Sequence, residues 1–479
     1  MRQAVKSIAA FFLVSGCVVF GSAAADAVDD YVTTALAKEK IPGASILIVR
    51  NGTILKASGY GFANVELRVP ASADTIYQSG STGKQFTAAG ILLLAEEGKL
   101  SLDDRLSKHF PDGPTSWHRI TLRQLLTHTS GIRDYGDSPD IDLRRDYDES
   151  ALLKIMMRLP LDFEPGTQWS YSNSGYLILG LLTSKLAGMH WSDFQAQRLF
   201  KPLGMTTTRV ISESEIVPNR AAGYELNDKG ELTNQEWVSP SLNRCADGAL
   251  YYTVRDLAAW DAALRQGRFL KPASLDTWMR PVKLADGTEY QYGFGWSVSE
   301  QRGRRLIEHG GSWQGFRTAI ARYVDQDLTI VVLTNLSSAE PETMAHEIAG
   351  LIEPALRLPD LVAARTDPSP SRGARLRALL GDWADGHVNP EMAKGLADTA
   401  SGSLAEAKSR GHTAAQLAQS TTLRFLAEDR LAPVPLRWRG EQVTTIAYYA
   451  LETKGKGYRY RFYLTEDGHV ADFGYERAR

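Results

Sequence analysis

Apolar and polar positions along this chain follow two rhythms, and they change over at defined points. Period-two stretches come early and late. Ser45–Arg50 and Ile54–Tyr60 read as strands joined at Asn51-Gly52, a hairpin signal because these residues accept left-handed backbone. Tyr292–Val298, Arg305–His309, Phe316–Val324 and Thr329–Leu333 read as further strands, with Val324-Asp325-Gln326-Asp327 turning between the last two. The intervening segment has helical spacing. Phe86, Ala89, Gly90, Leu93 and Leu94 mark the buried face of a helix that Gly98 ends. Tyr176–Ala187 is a strongly apolar helix, Phe194–Leu203 a shorter one, and Leu122–Thr127 a single helical turn. Further helices are expected over Val28–Lys38, from Asp256 to near Arg265, and over Glu342–Ile352. Strands from both ends around a helical middle predict one antiparallel sheet flanked by helices, with a helical subdomain: an α/β (α+β) architecture over residues 26–353.

Residues 354–373 then break the pattern. Pro359, Asp367-Pro368-Ser369-Pro370 and Gly373 read as a linker. Residues 374–479 predict a separate small α+β domain, whose role the pattern leaves unknown. Its helical pieces lie near Leu404–Arg410 and Ala414–Gln419. Its strands lie near Val443–Glu452, Tyr458–Leu464 and Val470–Glu476.

Composition narrows the class. The 479 residues exceed one ordinary domain; 43% are hydrophobic and 23% charged, as in soluble globular proteins. A net charge of -2 gives no electrostatic case for nucleic acid. At the start, Arg2 and Lys6 precede an apolar run from Ile8 to Phe20, and Ala23-Ala24-Ala25 offers a small-x-small cleavage site. Residues 1–25 therefore read as a secretory signal peptide cleaved before Asp26, and the mature chain is expected to be periplasmic or secreted, with no transmembrane span. Val14-Ser15-Gly16-Cys17 resembles a lipoprotein processing box, but the apolar run continues past Cys17 to the Ala-x-Ala site, so simple cleavage is favoured. The remaining cysteine, Cys245, leaves no internal disulfide and reads as a small buried residue rather than a nucleophile. No His/Asp/Glu cluster has metal-ligand spacing, and no cofactor is expected.

Three short motifs carry candidate chemistry. Ser81-Thr82-Gly83-Lys84 opens the helix that Gly98 ends, which puts Ser81 in its first turn and Lys84 one turn along on the same face. The helix start offers N–H groups to an oxyanion, and a neutral Lys amine there can take a proton from a Ser hydroxyl. A surface serine beside a solvated lysine is the alternative. Tyr171-Ser172-Asn173 lies on a loop just before the apolar helix. Tyr171 there is a candidate for proton transfer and Asn173 for orienting Lys84 and a substrate amide, or else they are a core tyrosine and an Asx turn. His309-Gly310-Gly311 ends a strand, where glycines let another backbone approach and a strand N–H can complete an oxyanion hole; a simple bulge is the alternative.

The three motifs, in this order, resemble those of the serine penicillin-recognising superfamily, in its branch of class C β-lactamases, D-Ala-D-Ala carboxypeptidases with His-x-Gly, D-aminopeptidases and related esterases. The flanks agree: Gly59-Tyr60-Gly61-Phe62-Ala63-Asn64, Leu125-Leu126-Thr127-His128-Thr129-Ser130-Gly131-Ile132, Asp256-Leu257-Ala258, Tyr292-Gly293-Phe294-Gly295-Trp296 and Val331-Val332-Leu333-Thr334-Asn335. The resemblance covers about residues 30–350. It implies that Ser81 is the acylated nucleophile, that Lys84 and Tyr171 share proton transfer, and that Asn173 positions substrate and lysine. It also implies that His309, Gly310, Gly311 and Ser312 line the substrate edge, with the N–H groups of Ser81 and Ser312 as the oxyanion hole. The implied partner is a small molecule, a peptide (including a cell-wall peptide) or an ester. Two positions depart from the pattern. Ala246-Asp247-Gly248-Ala249 replaces the usual Ala-Gly-Gly, and His309 stands where a permanent lysine cation would suit a substrate carboxylate. The second departure favours a peptidase or esterase over an efficient β-lactamase. Trp296, Trp313 and Phe316 are candidates for a pocket wall or for core packing. A module that traps ligand at Ser81 without turnover is the reading from another functional class.

Overall fold

The computed structural model describes residues 22–212, 214–362, 365–399, 404–420, 422–431, 436–453 and 456–478. The leader, apart from its last few residues, and Cys17 lie outside them. Among the described residues no helix is long and apolar enough to cross a membrane.

The predicted sheet is present, with seven antiparallel strands. Their spatial order is Ser297–Gln301, Arg304–Trp313, Phe316–Tyr323, Leu328–Thr334, Gly43–Arg50, Thr53–Asn64 and Val69–Pro70. Gly43–Arg50 joins the two halves of the sheet: it pairs with Leu328–Thr334 on one side and Thr53–Asn64 on the other. Seven of its eight residues are buried because both sheet faces are covered. Alternation divides them. Leu47 and Val49 enter the core shared with the helical subdomain, whereas Ala44, Ile46 and Ile48 enter a second core under helices Ser22–Glu39 and Pro341–Ile352.

Local differences from the pattern have identifiable causes. Tyr292–Trp296 was expected to be strand, but regular pairing starts at Ser297. Gly295 turns there at φ +74, and a Cβ on it would press on the backbone of Gln85. The helix after Ser81 is enclosed on every side: Lys84 through Leu94 are all buried, so the amphipathic reading understated its burial. It runs through the centre of the larger core and packs on helix Asn173–Ala187.

The C-terminal unit is a separate α+β domain, as the alternation predicts. Strands Arg424–Arg430, Glu441–Thr453, Lys456–Thr465 and Val470–Ala478 pair in that order, with Leu436–Trp438 beside the second. The two helical pieces expected near 404 and 414 form one helix, Leu404–Leu417. Helix Arg372–Ala384 and strand Arg424–Arg430 were not anticipated; the former packs Leu376, Leu379, Leu380 and Trp383 on the sheet.

This domain docks on the first through buried charge. His346, on helix Pro341–Ile352, bridges Glu308 (2.7 Å) and Glu476 (3.1 Å). Arg459 reaches Glu347 and Glu476, and Tyr463 donates to the buried Glu300 at 3.0 Å. Burial opposes a charged imidazole, yet the two carboxylates raise His346 to about 10, and both carboxylates are held below their ordinary range. The imidazolium contribution is therefore complete below pH 6.5 and lost as pH rises through about 10, while the carboxylate contribution is complete above pH 4.5 and lost on acidification. Calorimetric melting should show the docked pair most stable between about pH 4.5 and 6.5, where both contributions are complete. Replacing His346 by Gln, which leaves the buried Glu308 carboxylate without its ionic partner and Glu476 with Arg459 alone, is expected to cost about 3–5 kcal/mol at pH 6 and much less at pH 10.

Candidate active site

The Ser81 turn differs from the predicted helix start in a way that improves its geometry. Gly80–Gly83 forms a 3-10 turn, and the α-helix begins only at Lys84. In a 3-10 turn residues three apart eclipse one another, so Lys84 lies directly over Ser81. Its Nζ is 3.2 Å from Ser81 Oγ. The same nitrogen donates to Asn173 Oδ1 and to the backbone carbonyl of Asp247, both at 2.7 Å. The residue has no solvent exposure, so these three oxygens, from three separate segments, replace water around it.

The glycines set how closely the segments approach. Gly80 has φ +53, and a Cβ on it would overlap the backbone nitrogen of Ser312. A Cβ on Gly311 would overlap the carbonyl of Ser79 and the Thr318 hydroxyl. Gly310 lies against the carboxylate of Glu342. Strand Arg304–Trp313 therefore rests backbone to backbone on the Ser81 turn, and the Ser312 amide is brought beside Ser81. Tyr171 sits next to Lys84, with Nζ 4.9 Å from its ring centre, and its buried hydroxyl makes no hydrogen bond. Asn173 starts its helix, and its N–H donates to Asp134 Oδ2 at 2.6 Å.

A cavity of about 220 Å³ opens over Ser81. Asn173, Ser312, Trp313, Ile141, Leu143, Asp134, Tyr135 and Asp247 are among its walls; Lys84, Tyr171 and His309 stand behind that lining. The charged side chains on the wall are both carboxylates. Asp134 accepts from the backbone N–H groups of Gly136 and Asn173. Asp247 accepts from the Tyr135 hydroxyl at 3.1 Å, and burial raises its pKa. His309 is placed differently from a substrate-facing cation. Its Nε2 is 2.9 Å from the Tyr292 hydroxyl and its Nδ1 2.6 Å from the Gly310 carbonyl, and burial lowers its pKa to about 4, so it is neutral at pH 7.

Of the aromatic candidates, Trp313 lines the cavity, while Trp296 and Phe316 are core. Cys245 is buried, and burial together with Asp247 raises its thiol well above the ordinary value, so it stays a thiol. Asp134, Tyr135 and Tyr292 were missed by the sequence reading. Asp134 follows the Thr129-Ser130-Gly131 turn and had no distinguishing spacing. Asp247 was visible as a departure from a glycine-rich run. Among the described residues no group of His, Cys, Asp and Glu could hold a metal.

The family model described as Beta-lactamase matches residues 28–353, and the chain belongs to that family, within the penicillin-recognising serine hydrolases. The superfamily's general chemistry is serine acyl transfer on small peptide or amide substrates. Penicillin-binding protein 4* of Bacillus subtilis is 33% identical over 314 residues, which are 61% of this chain and 67% of that protein. Protein flp of Staphylococcus aureus is 30% identical over 330 residues, 67% of this chain and 65% of its own length. The octameric penicillin-binding protein homologue from Pyrococcus abyssi shares the fold over 95% of this chain and 98% of its own, with a TM-score of 0.63 at 21% identity. A D-stereospecific amidohydrolase from Streptomyces superposes with a TM-score of 0.58 at 25% identity, over 67% of this chain and 97% of its own.

The close approach gives a direct test. Gly311→Ala is expected to lower stability by about 1–3 kcal/mol through overpacking and to suppress fluorophosphonate labelling of the folded fraction. Gly381→Ala, in helix Arg372–Ala384 with open space around it and no left-handed backbone, should leave labelling intact.

Proposed function

We propose that this protein is an exported serine hydrolase that works through an acyl-enzyme on Ser81, acting on small amides, including those of D-amino acids and their peptides. The observation that carries this reading is the set of oxygens around Lys84. A neutral amine has two hydrogens and one lone pair. Asn173 Oδ1 and the Asp247 carbonyl, both at 2.7 Å, occupy two N–H groups, so that in the neutral form this reading requires, the lone pair is left for Ser81 Oγ, 3.2 Å away. In this reading Lys84 receives the Ser81 proton as Oγ bonds to the substrate carbonyl carbon. The oxyanion forms against the N–H groups of Ser81 and Ser312. As the C–N bond breaks, the proton passes to the leaving amine, with the unpartnered Tyr171 hydroxyl as its carrier. Water then attacks the Ser81 ester and restores the serine. No metal enters the scheme.

Charge supports an amide over a β-lactam or a substrate ending in a carboxylate. The wall beside Ser81 carries Asp134 and Asp247, and His309 supplies no positive charge at neutral pH. A neutral or ammonium-bearing acyl group suits this wall. A D-amino acid amide has that form, and the Streptomyces relative is named for D-stereospecific amide hydrolysis.

Labelling the purified mature protein with a fluorophosphonate and mapping the adduct by mass spectrometry should place it on Ser81, and Ser81→Ala should abolish it. Absence of an adduct on Ser81 would sink the acyl-enzyme. An adduct without turnover on D- and L-amino acid amides, esters and β-lactams would instead mark a ligand-trapping module. Among hydrolysed amides, kcat/KM should favour a free α-amine over its acetylated counterpart. Asp247→Asn, which keeps the carbonyl that holds Lys84, should erode that preference roughly tenfold.

A further inference from the structure

His128 is more constrained than a core histidine needs to be. It is non-glycine backbone at φ +58, a region disfavoured for a residue with a Cβ, and it is 1% exposed. Its carbonyl accepts from Ser170 N at 2.9 Å, and its Nδ1 accepts from Ser172 N at 3.1 Å, so it grips the loop on both sides of Tyr171. Its ring also lies against Tyr171, with centres 4.3 Å apart. On the far side its Nε2 is 3.2 Å from the Tyr292 hydroxyl, which in turn is 2.9 Å from His309 Nε2.

The direction of every hydrogen bond in this series follows from its ends. A backbone N–H can only donate, so His128 Nδ1 is an acceptor and the proton of the neutral ring is on Nε2. That N–H donates to the Tyr292 oxygen, and the Tyr292 hydroxyl then donates to His309 Nε2. The His309 proton is therefore on Nδ1, where the Gly310 carbonyl accepts it at 2.6 Å. The two rings are locked in opposite tautomers, and the relay ends on the Gly310 carbonyl, one residue before the glycine that lets this strand approach the Ser81 turn.

We infer that His128 and Tyr292 are positioning residues that hold the Tyr171-Ser172-Asn173 loop and the His309-Gly310-Gly311 strand in register with Ser81, with His309 acting as a neutral pin and not as a cation for substrate. The groups facing His309 agree with a neutral ring. Burial opposes its protonation and outweighs the Gly310 carbonyl and Glu308, which favour it; Lys84 opposes it too whenever the amine carries a proton, and Tyr171 and Tyr292 present aromatic faces. Glu308, the neighbour on its own strand, is engaged by His346, and Glu342 packs against Gly310. His128 is kept neutral chiefly by burial.

The kinetic part of the test rests on the Ser81 acyl-enzyme; the spectroscopic part does not. In full-length protein with ¹⁵N-labelled histidine, long-range correlation spectra assigned with His128→Asn and His309→Gln should show His128 carrying Nε2–H and His309 carrying Nδ1–H. Neither ring should titrate between pH 5 and 8. The opposite tautomer in either ring, or titration of His309 near its ordinary value, would overturn the inference whether or not Ser81 is acylated. Tyr292→Phe keeps the ring and removes both hydrogen bonds. It should lower the acylation rate about 10- to 100-fold with KM little changed, and it should introduce a His309 titration into the pH profile of acylation above pH 5. His128→Asn keeps an acceptor for Ser172 and tolerates positive φ, so it should retain more activity than His128→Ala at equal melting temperature. If Tyr292→Phe acylates at the wild-type rate with an unchanged profile, the pair is packing alone.

Discussion

A lysine amine without solvent contact must find in the protein the partners it would have had in water. At Lys84 that requirement draws together segments far apart in the chain: the Ser81 turn, the start of helix Asn173–Ala187, and the Asp247 loop. Each supplies one oxygen. Leaving any of them out would strand a polar group in the centre of the larger core, so the folding of these segments is tied to the formation of the site. The helix that carries Lys84 is buried from Lys84 through Leu94, so the base of the site is packed on every side.

Around this centre, the remaining features regulate distance and charge. The glycines at 80 and 311 let one backbone rest on another, which a side chain would prevent. His128 and Tyr292 tie the tyrosine loop to the glycine strand. Among the described residues, the charged side chains that line the cavity are the carboxylates Asp134 and Asp247. One superfamily scaffold can thus be turned toward different acyl groups by a few wall residues while the chemistry at its serine stays the same. Glu308 links the scaffold to the C-terminal domain. It directly precedes His309 on the strand that rests on the Ser81 turn, and His346 joins it to Glu476.

Much of the fold was legible because burial on both sheet faces and along the central helices writes strong periodicity into the sequence. The Asn51-Gly52 hairpin, the late strands and the helices at 176, 256 and 342 all appear near their expected bounds. Tyr292–Trp296 was misread as strand because its apolar and aromatic content comes from packing around a left-handed glycine, which mimics strand composition. Strand Arg424–Arg430 was missed because its outer half alternates weakly and ends in charge. In the C-terminal domain the helix at 372 was hidden by the proline-rich run just before it.

The sequence by itself determined the family, the order of its motifs and the residue types at its site, because those chemistries depend on side-chain identity and local spacing. Only the tertiary structure decided what each residue faces. It turned the expected α-helical start at Ser81 into a 3-10 turn and placed the Asp247 carbonyl, rather than its carboxylate, on Lys84. It also occupied both nitrogens of His309 with a tyrosine and a carbonyl. The Lys84–Asp247 contact spans 163 positions, and even for the nearer partners of His309 no local pattern records which atom of a side chain a contact will use.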